Sequence, residues 1–135
     1  MTEGYAGDLT PRQAWELVRD TEAVLVDVRT EAEWRFVGAP DLTELGRRAG
    51  FVEWVDVAGR RNPEFLSAVN ALAQDRPVVF LCRSGQRSAS AARLLTEARG
   101  AVAYNVVDGF EGGLDPAGHR GSAGWRADGL PWTQQ

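Results

Sequence analysis

The sequence predicts an α/β domain built on a mainly parallel central sheet with helices on both faces. Three observations carry this. First, residues 23–28, 78–81 and 103–107 are β-branched or apolar runs without the polar alternation of a half-exposed strand, as expected for strands covered on both sides. Second, segments with helical spacing separate them, the alternation that builds parallel sheets. Third, Asp27 with Arg29, Cys82 and Asp108 all fall at the carboxyl ends of those runs, where such sheets gather their ligands.

Taken in order, residues 1–7 read as a flexible tail. Thr10-Pro11-Arg12-Gln13 starts a helix: threonine caps, proline suits the first turn, and glutamine three residues on completes a capping box. Ala14, Leu17 and Val18 form its apolar stripe. After the strand at 23–28, Thr30 caps a short helix to Phe36, with Glu31 and Arg35 one turn apart. Residues 38–50 are broken by Gly38, Pro40, Gly46 and Gly50, with Leu42 and Leu45 tucked beneath. Residues 51–55 read as a short strand and Gly59-Arg60-Arg61 as a turn. Asn62-Pro63-Glu64 opens a helix that faces inward through Phe65, Val69 and Leu72. The strand at 78–81 runs through a loop into a helix over 88–99, whose small first turns let it lie close to the sheet. Gly100 ends that helix in a left-handed conformation. Residues 103–107 form the last strand, closed by Asp108-Gly109. A glycine-rich stretch, 112–124, leads to a final helical turn at 125–128.

At 135 residues the chain is one domain with room for a real core. The net charge of −4 argues against a nucleic-acid binder. No apolar run reaches the roughly 18 residues of a membrane span. The first seven residues have neither the basic start nor the apolar stretch of a secretory leader, so the expected location is the cytoplasm. The single cysteine excludes an internal disulfide, and with one histidine it makes a structural zinc site, which needs about four ligands, unexpected. No metal or cofactor is expected.

The chemistry concentrates in Cys82-Arg83-Ser84-Gly85-Gln86-Arg87-Ser88. The thiolate is the reactive form of cysteine. Four features favour it: the N-terminus of the following helix, a Ser84-Gly85 curl that turns N–H groups inward, and the two charges of Arg83 and Arg87. No carboxylate lies between Arg76 and Arg93 to compete. The same features suit a small anion, and arginine's planar fork can bind one through two hydrogen bonds. A buried cysteine at a strand end is otherwise a small hydrophobe. Arg83 and Arg87 are each open to two readings, anion contact or ordinary surface arginine. Arg87 has a third, bracing the loop against a buried acid, for which Asp27 is the candidate. Asp27 and Arg29 are supporting residues. Ser84 and Ser88 are candidate donors to a sulfur anion, and Ser88 is equally a candidate helix cap. His119, in a glycine-rich loop, and the tryptophans read as structural, with Trp34 and Trp54 in the core. Asp108, Glu111 and Asp115 read as turn residues.

This loop, preceded by Val78-Val79-Phe80-Leu81, resembles the active-site loop of the rhodanese-like family. Two further stretches share the resemblance: Asp27-Val28-Arg29 followed by Glu31, Glu33 and Trp34, and Asn105 to Gly112 with Gly124-Trp125 and Gly129-Leu130-Pro131-Trp132. The match spans residues 8–132, leaving 1–7 and 133–135 as tails. Gly38-Ala39-Pro40-Asp41-Leu42 departs from the Gly-His-Ile-x-Gly-Ala of many members, which leaves the strand boundaries over 38–57 open. The resemblance implies a five-stranded, mainly parallel sheet and a sulfurtransferase. Cys82 takes sulfur from a small sulfur-containing anion such as thiosulfate, becomes a persulfide, and passes the sulfur to cyanide, a small thiol or an acceptor protein. Two rivals stand beside it. Cysteine phosphatases and arsenate reductases have a similar loop but space it Cys-x5-Arg, where this chain has Cys82-x4-Arg87. A non-catalytic binding or sensing module of the same fold is the other.

Overall fold

The computed structural model describes residues 4–134. Its strands are β1 (Gly7–Leu9), β2 (Val24–Asp27), β3 (Ala39–Pro40), β4 (Gly50–Phe51), β5 (Val78–Leu81), β6 (Ala103–Val106) and β7 (Trp132–Thr133). Its helices are α1 (Pro11–Asp20), α2 (Glu31–Phe36), α3 (Phe65–Ala73) and α4 (Gln86–Arg99). Five strands form one all-parallel sheet in the order β1-β6-β5-β2-β4, while β3 and β7 form a small antiparallel ribbon. Asp27 is paired with Leu81, so the loops after β2 and β5 leave the sheet side by side.

The two central strands explain the apolar runs. Successive side chains of a strand point to opposite faces, and here both faces are covered. Val26, Val78 and Phe80 pack with Phe65 and Val69 of α3 and Ala91, Ala92 and Leu95 of α4. Leu25, Val79 and Leu81 pack on the other side with Ala14, Trp15 and Val18 of α1 and with Trp125. Cys82 continues the phase of Val78 and Phe80, which places it on the α3/α4 side.

The predicted capping box at Thr10 forms, and the expected Thr30 cap proves to be a second one. Thr10 Oγ1 accepts from Gln13 N, and Gln13 Oε1 accepts from Thr10 N; Thr30 and Glu33 do the same at α2. Gly100 ends α4 at φ 64°. The helix expected from Asn62 begins later, at Phe65: Asn62 Oδ1 accepts from Glu64 N in a local turn instead of capping. Leu72, expected inside, is 38% exposed, and Ala73 takes its place in the core. The strand expected over 51–55 is only Gly50–Phe51. Past Phe51 regular pairing gives way to single bonds, Val52 N to Asp27 O and Trp54 N to Val28 O, and the chain then doubles back, bridging Val55 to Arg61.

The N-terminal end also differs from expectation. Tyr5 is buried and Gly7 belongs to β1, which pairs with β6 at the sheet edge, so the ordered fold takes in part of the stretch read as a tail. Residues 1–3 lie outside the described residues. At the other end Thr133 belongs to β7 and Gln134 Nε2 donates to Phe36 O; Gln135 lies outside the described residues.

Candidate active site

The loop from Cys82 to Gly85 links β5 to α4, and its shape is imposed from the turn after β6. Phe110 N donates to Cys82 O at 2.8 Å and Glu111 N donates to Arg83 O at 3.0 Å. With these carbonyls held outward, the loop's interior is left to N–H groups. Gly109 makes the contact possible: at φ 51°, a Cβ there would run into Cys82 O and lie 2.6 Å from the Arg83 carbonyl carbon. Gly85 supplies the final turn at φ 106° and is the residue preceding α4.

Inside this curl Cys82 is 1% exposed. Gly85 N donates to Cys82 Sγ at 3.1 Å, and Ser88 Oγ lies 3.1 Å from the same sulfur. The sulfur therefore faces the N-terminal end of a 14-residue helix, where unpaired N–H groups favour negative charge. Ser88 is not the helix cap. It is fully buried inside the first turns of α4, because Gln86 and Arg87 already have helical conformation. Ser90, by contrast, is directed away from the sulfur and donates to Gln86 O.

Each arginine of the loop meets a carboxylate that lies far away in sequence. Arg87 binds Glu33 through two bonds, Nη1 to Oε1 at 2.7 Å and Nη2 to Oε2 at 3.0 Å. Its partner is thus Glu33 and not Asp27, which is engaged elsewhere. Burial disfavours the Glu33 carboxylate, but the Arg87 bonds, the Arg87 charge and the Thr30 N–H outweigh it and hold its pKa below the ordinary value of 4.5. The same pair raises Arg87 above its ordinary range, chiefly through the Glu33 hydrogen bonds. Arg83 makes a looser pair, with Nε 3.4 Å from Glu111 Oε2, and its side chain is 45% exposed.

Asp27 and Arg29 form a closed unit beside the loop. Both are 0% exposed, and Arg29 Nη2 lies 2.7 Å from Asp27 Oδ2. Arg29 Nε and backbone N also donate to Asp27, and Nη2 donates to Gly38 O. The guanidinium carbon lies 4.2 Å from the centre of the Phe110 ring. The pair joins the end of β2 to the turn after β6 and to the start of the β3 segment, without an exposed atom.

His119 is exposed on the 113–124 loop, where its backbone bonds Asp115. Among the described residues, no group of three or more His, Cys, Asp or Glu side chains comes together to hold a metal. Trp54 is buried as expected, whereas Trp34 is half-buried. Sequence reasoning did not single out Glu33, Asn105, Gly109 or Glu111 as parts of the site. Glu33 had a local signal, the capping box with Thr30, but nothing nearby announced Arg87, 54 residues away.

The geometry allows comparison with known proteins. A rhodanese-like domain model matches residues 10–115, most of the chain, including the Cys82 loop and the turn after β6 that holds it. This chain belongs to the rhodanese-like domain family. Within that fold it superposes on the crystal structure of Rv0390 from M. tuberculosis with a TM-score of 0.89 and 59% identity, covering 97% of this chain and 99% of that one. It is 37% identical over 118 residues to an uncharacterized protein of Rickettsia prowazekii, covering 86% of this chain and 87% of the relative. It is 31% identical over 108 residues to the thiosulfate sulfurtransferase GlpE of Glaesserella parasuis, covering 78% of this chain and 83% of the relative. Among the described residues of this rhodanese-like domain, no helix is long and apolar enough to cross a membrane.

Proposed function

We propose that the protein is a sulfurtransferase that carries sulfur on Cys82. The observation that carries this reading is the sulfur itself: nearly closed off, at a helix N-terminus, with the Gly85 N–H and the Ser88 hydroxyl both at 3.1 Å. That enclosure suits one added sulfur atom better than a bulky tetrahedral ester. The likeness to a thiosulfate sulfurtransferase supports the same choice.

In the first half-reaction the Cys82 thiolate attacks the outer sulfur of thiosulfate. The new S–S bond forms as the old one breaks, and sulfite leaves with the bonding electron pair. The persulfide anion left behind lies where the loop N–H groups and the α4 N-terminus stabilise negative charge. In the second, cyanide or a thiolate attacks the outer sulfur and Cys82 departs as thiolate. The products are thiocyanate or a new persulfide, on a small thiol or an acceptor protein. Arg83, exposed and loosely paired, receives the anionic donor. Ser84, Gly85 and Gln86 form the curl, while Arg87 ties the start of α4 to Glu33 and Ser88 lies against the sulfur. Asp27 and Arg29 support the loop from beside it. A lone reduced thiol at the centre of the site suits a reducing compartment, and we place the reaction in the cytoplasm.

The test is to incubate the protein with thiosulfate, remove excess reagent and measure its intact mass. Gain of one sulfur atom, lost again on adding cyanide, is the expected result. An unchanged mass, together with release of phosphate from an aryl phosphate, would instead identify a phosphatase. An unchanged mass with no phosphate release would leave a binding module.

A further inference from the structure

A chain of hydrogen bonds runs from the sulfur to the edge of the sheet. Ser88 Oγ lies 3.1 Å from Cys82 Sγ and 2.5 Å from Asn105 Oδ1. Asn105 Nδ2 donates to Asp8 Oδ1 at 3.0 Å, and Tyr5 OH donates to the same oxygen at 2.8 Å. Ser88 and Asn105 are buried, whereas Asp8 is exposed on edge strand β1. Burial first, and the Asp8 carboxylate next, hold the Tyr5 phenol above its ordinary range, so Tyr5 keeps its hydrogen for Asp8.

The hydrogens in this chain can be assigned from chemistry. An ionised carboxylate only accepts, so Asn105 must turn its NH2 toward Asp8. Its carbonyl oxygen then faces Ser88. A serine hydroxyl has one hydrogen, and two acceptors compete for it. The Asn105 oxygen lies at the short end of the range for strong O–H···O bonds, whereas the sulfur of a thiol is a weak acceptor.

We propose that Asn105, oriented by Asp8, draws the Ser88 hydrogen away from Cys82, so that whenever Cys82 carries its proton Ser88 accepts from the thiol instead of donating to it. Ser88 becomes a donor to sulfur only when Asn105 releases it. Asn105 and Asp8 are thus positioning residues: they act on the sulfur through Ser88, from a carboxylate at the surface. The charged groups around the sulfur are Arg83 and Arg87 of its own loop, paired with Glu111 after β6 and Glu33 on α2, and the closed Asp27–Arg29 pair after β2. None of them bonds Ser88 or Asn105.

The inference rests on Cys82 as the reacting group, but its test needs no sulfur donor. Cys82 is the chain's only cysteine, so the rate of alkylation by iodoacetamide at neutral pH reports on it alone. In Asn105→Leu the Ser88 hydrogen has lost its competing acceptor and turns to sulfur, which stabilises the anion. Alkylation is expected to quicken by about three- to tenfold, the span of one ordinary hydrogen bond. Asp8→Asn frees the Asn105 amide to reverse and is expected to act in the same direction. Because Asp8 is exposed, that variant keeps the test readable if Asn105→Leu fails to fold. In a Ser88→Ala background both accelerations are expected to vanish. Wild-type rates in Asn105→Leu and Asp8→Asn would overturn the proposal. So would an acceleration that survives Ser88→Ala, since it would then not pass through Ser88. A slower rate in Ser88→Ala alone would overturn it as well, by showing that Ser88 already donates to sulfur.

Discussion

Two oxygens of Glu33 lie 2.7 and 3.0 Å from the Arg87 guanidinium, whereas Arg83 lies 3.4 Å from Glu111 and is 45% exposed. This difference separates two arginines that look equivalent in the sequence. Arg83 can turn toward an incoming anion at small cost, because a half-exposed ion pair contributes little. Arg83→Ala should therefore raise KM for thiosulfate by about tenfold, with kcat little changed, as steady-state thiocyanate assays would read. Arg87 is committed to Glu33. Glu33→Gln should lower stability by about 1–2 kcal/mol at neutral pH, measured by urea unfolding. The sign of its pH dependence follows from the lowered pKa. The stabilisation is complete above the ordinary value of 4.5 and is lost as pH falls through the lower folded value, so the variant should show a flatter acid limb than wild type. At Cys82 itself, Ser replacement should abolish both the sulfur adduct and thiocyanate formation, since a serine oxygen cannot form a persulfide.

At the scale of elements, the Cys82 loop is held by the turn after β6 as much as by β5 and α4. The bonds from Phe110 N and Glu111 N to the loop carbonyls require that turn to approach within backbone contact, which only glycine at 109 permits. Gly109→Ala adds a methyl group against the Cys82 carbonyl and strains a left-handed residue. It should cost about 2–4 kcal/mol of stability and most of the activity, even though residue 109 carries no reacting group. Circular dichroism melts alongside the mass assay would separate the two losses. The elements with local signals were legible: Thr10 and Thr30 announce α1 and α2, and Gly100 announces the end of α4. The ribbon of β3 and β7 was not, because two-residue strands have no periodicity to read. Its register depends instead on Gly38, where a Cβ would meet the Trp132 ring at 2.7 Å.

For the whole molecule, the strand order brings the ends of β2 and β5 together and sets β6 on the other side of β5. The buried Asp27–Arg29 pair sits at that junction, bonded to Gly38 O and stacked on Phe110. Removing one partner of such a pair leaves a buried charge without compensation. Asp27→Asn should therefore destabilise the fold by about 3–5 kcal/mol, with a matching fall in the urea midpoint.

The sequence by itself determined the fold class, the caps that open α1 and α2, the end of α4, the central strands and the Cys82 loop. Those depend on neighbours in the chain: apolar runs, caps within four residues, and a strand leading into a helix. Only the tertiary structure decided which acid answers each arginine and which side chains Ser88 meets. Glu33 is 54 residues from Arg87, and Asp8 is 97 residues from Asn105. A carboxylate's partner is chosen by distance in space, and the parallel crossovers of this sheet turn such distant residues into neighbours.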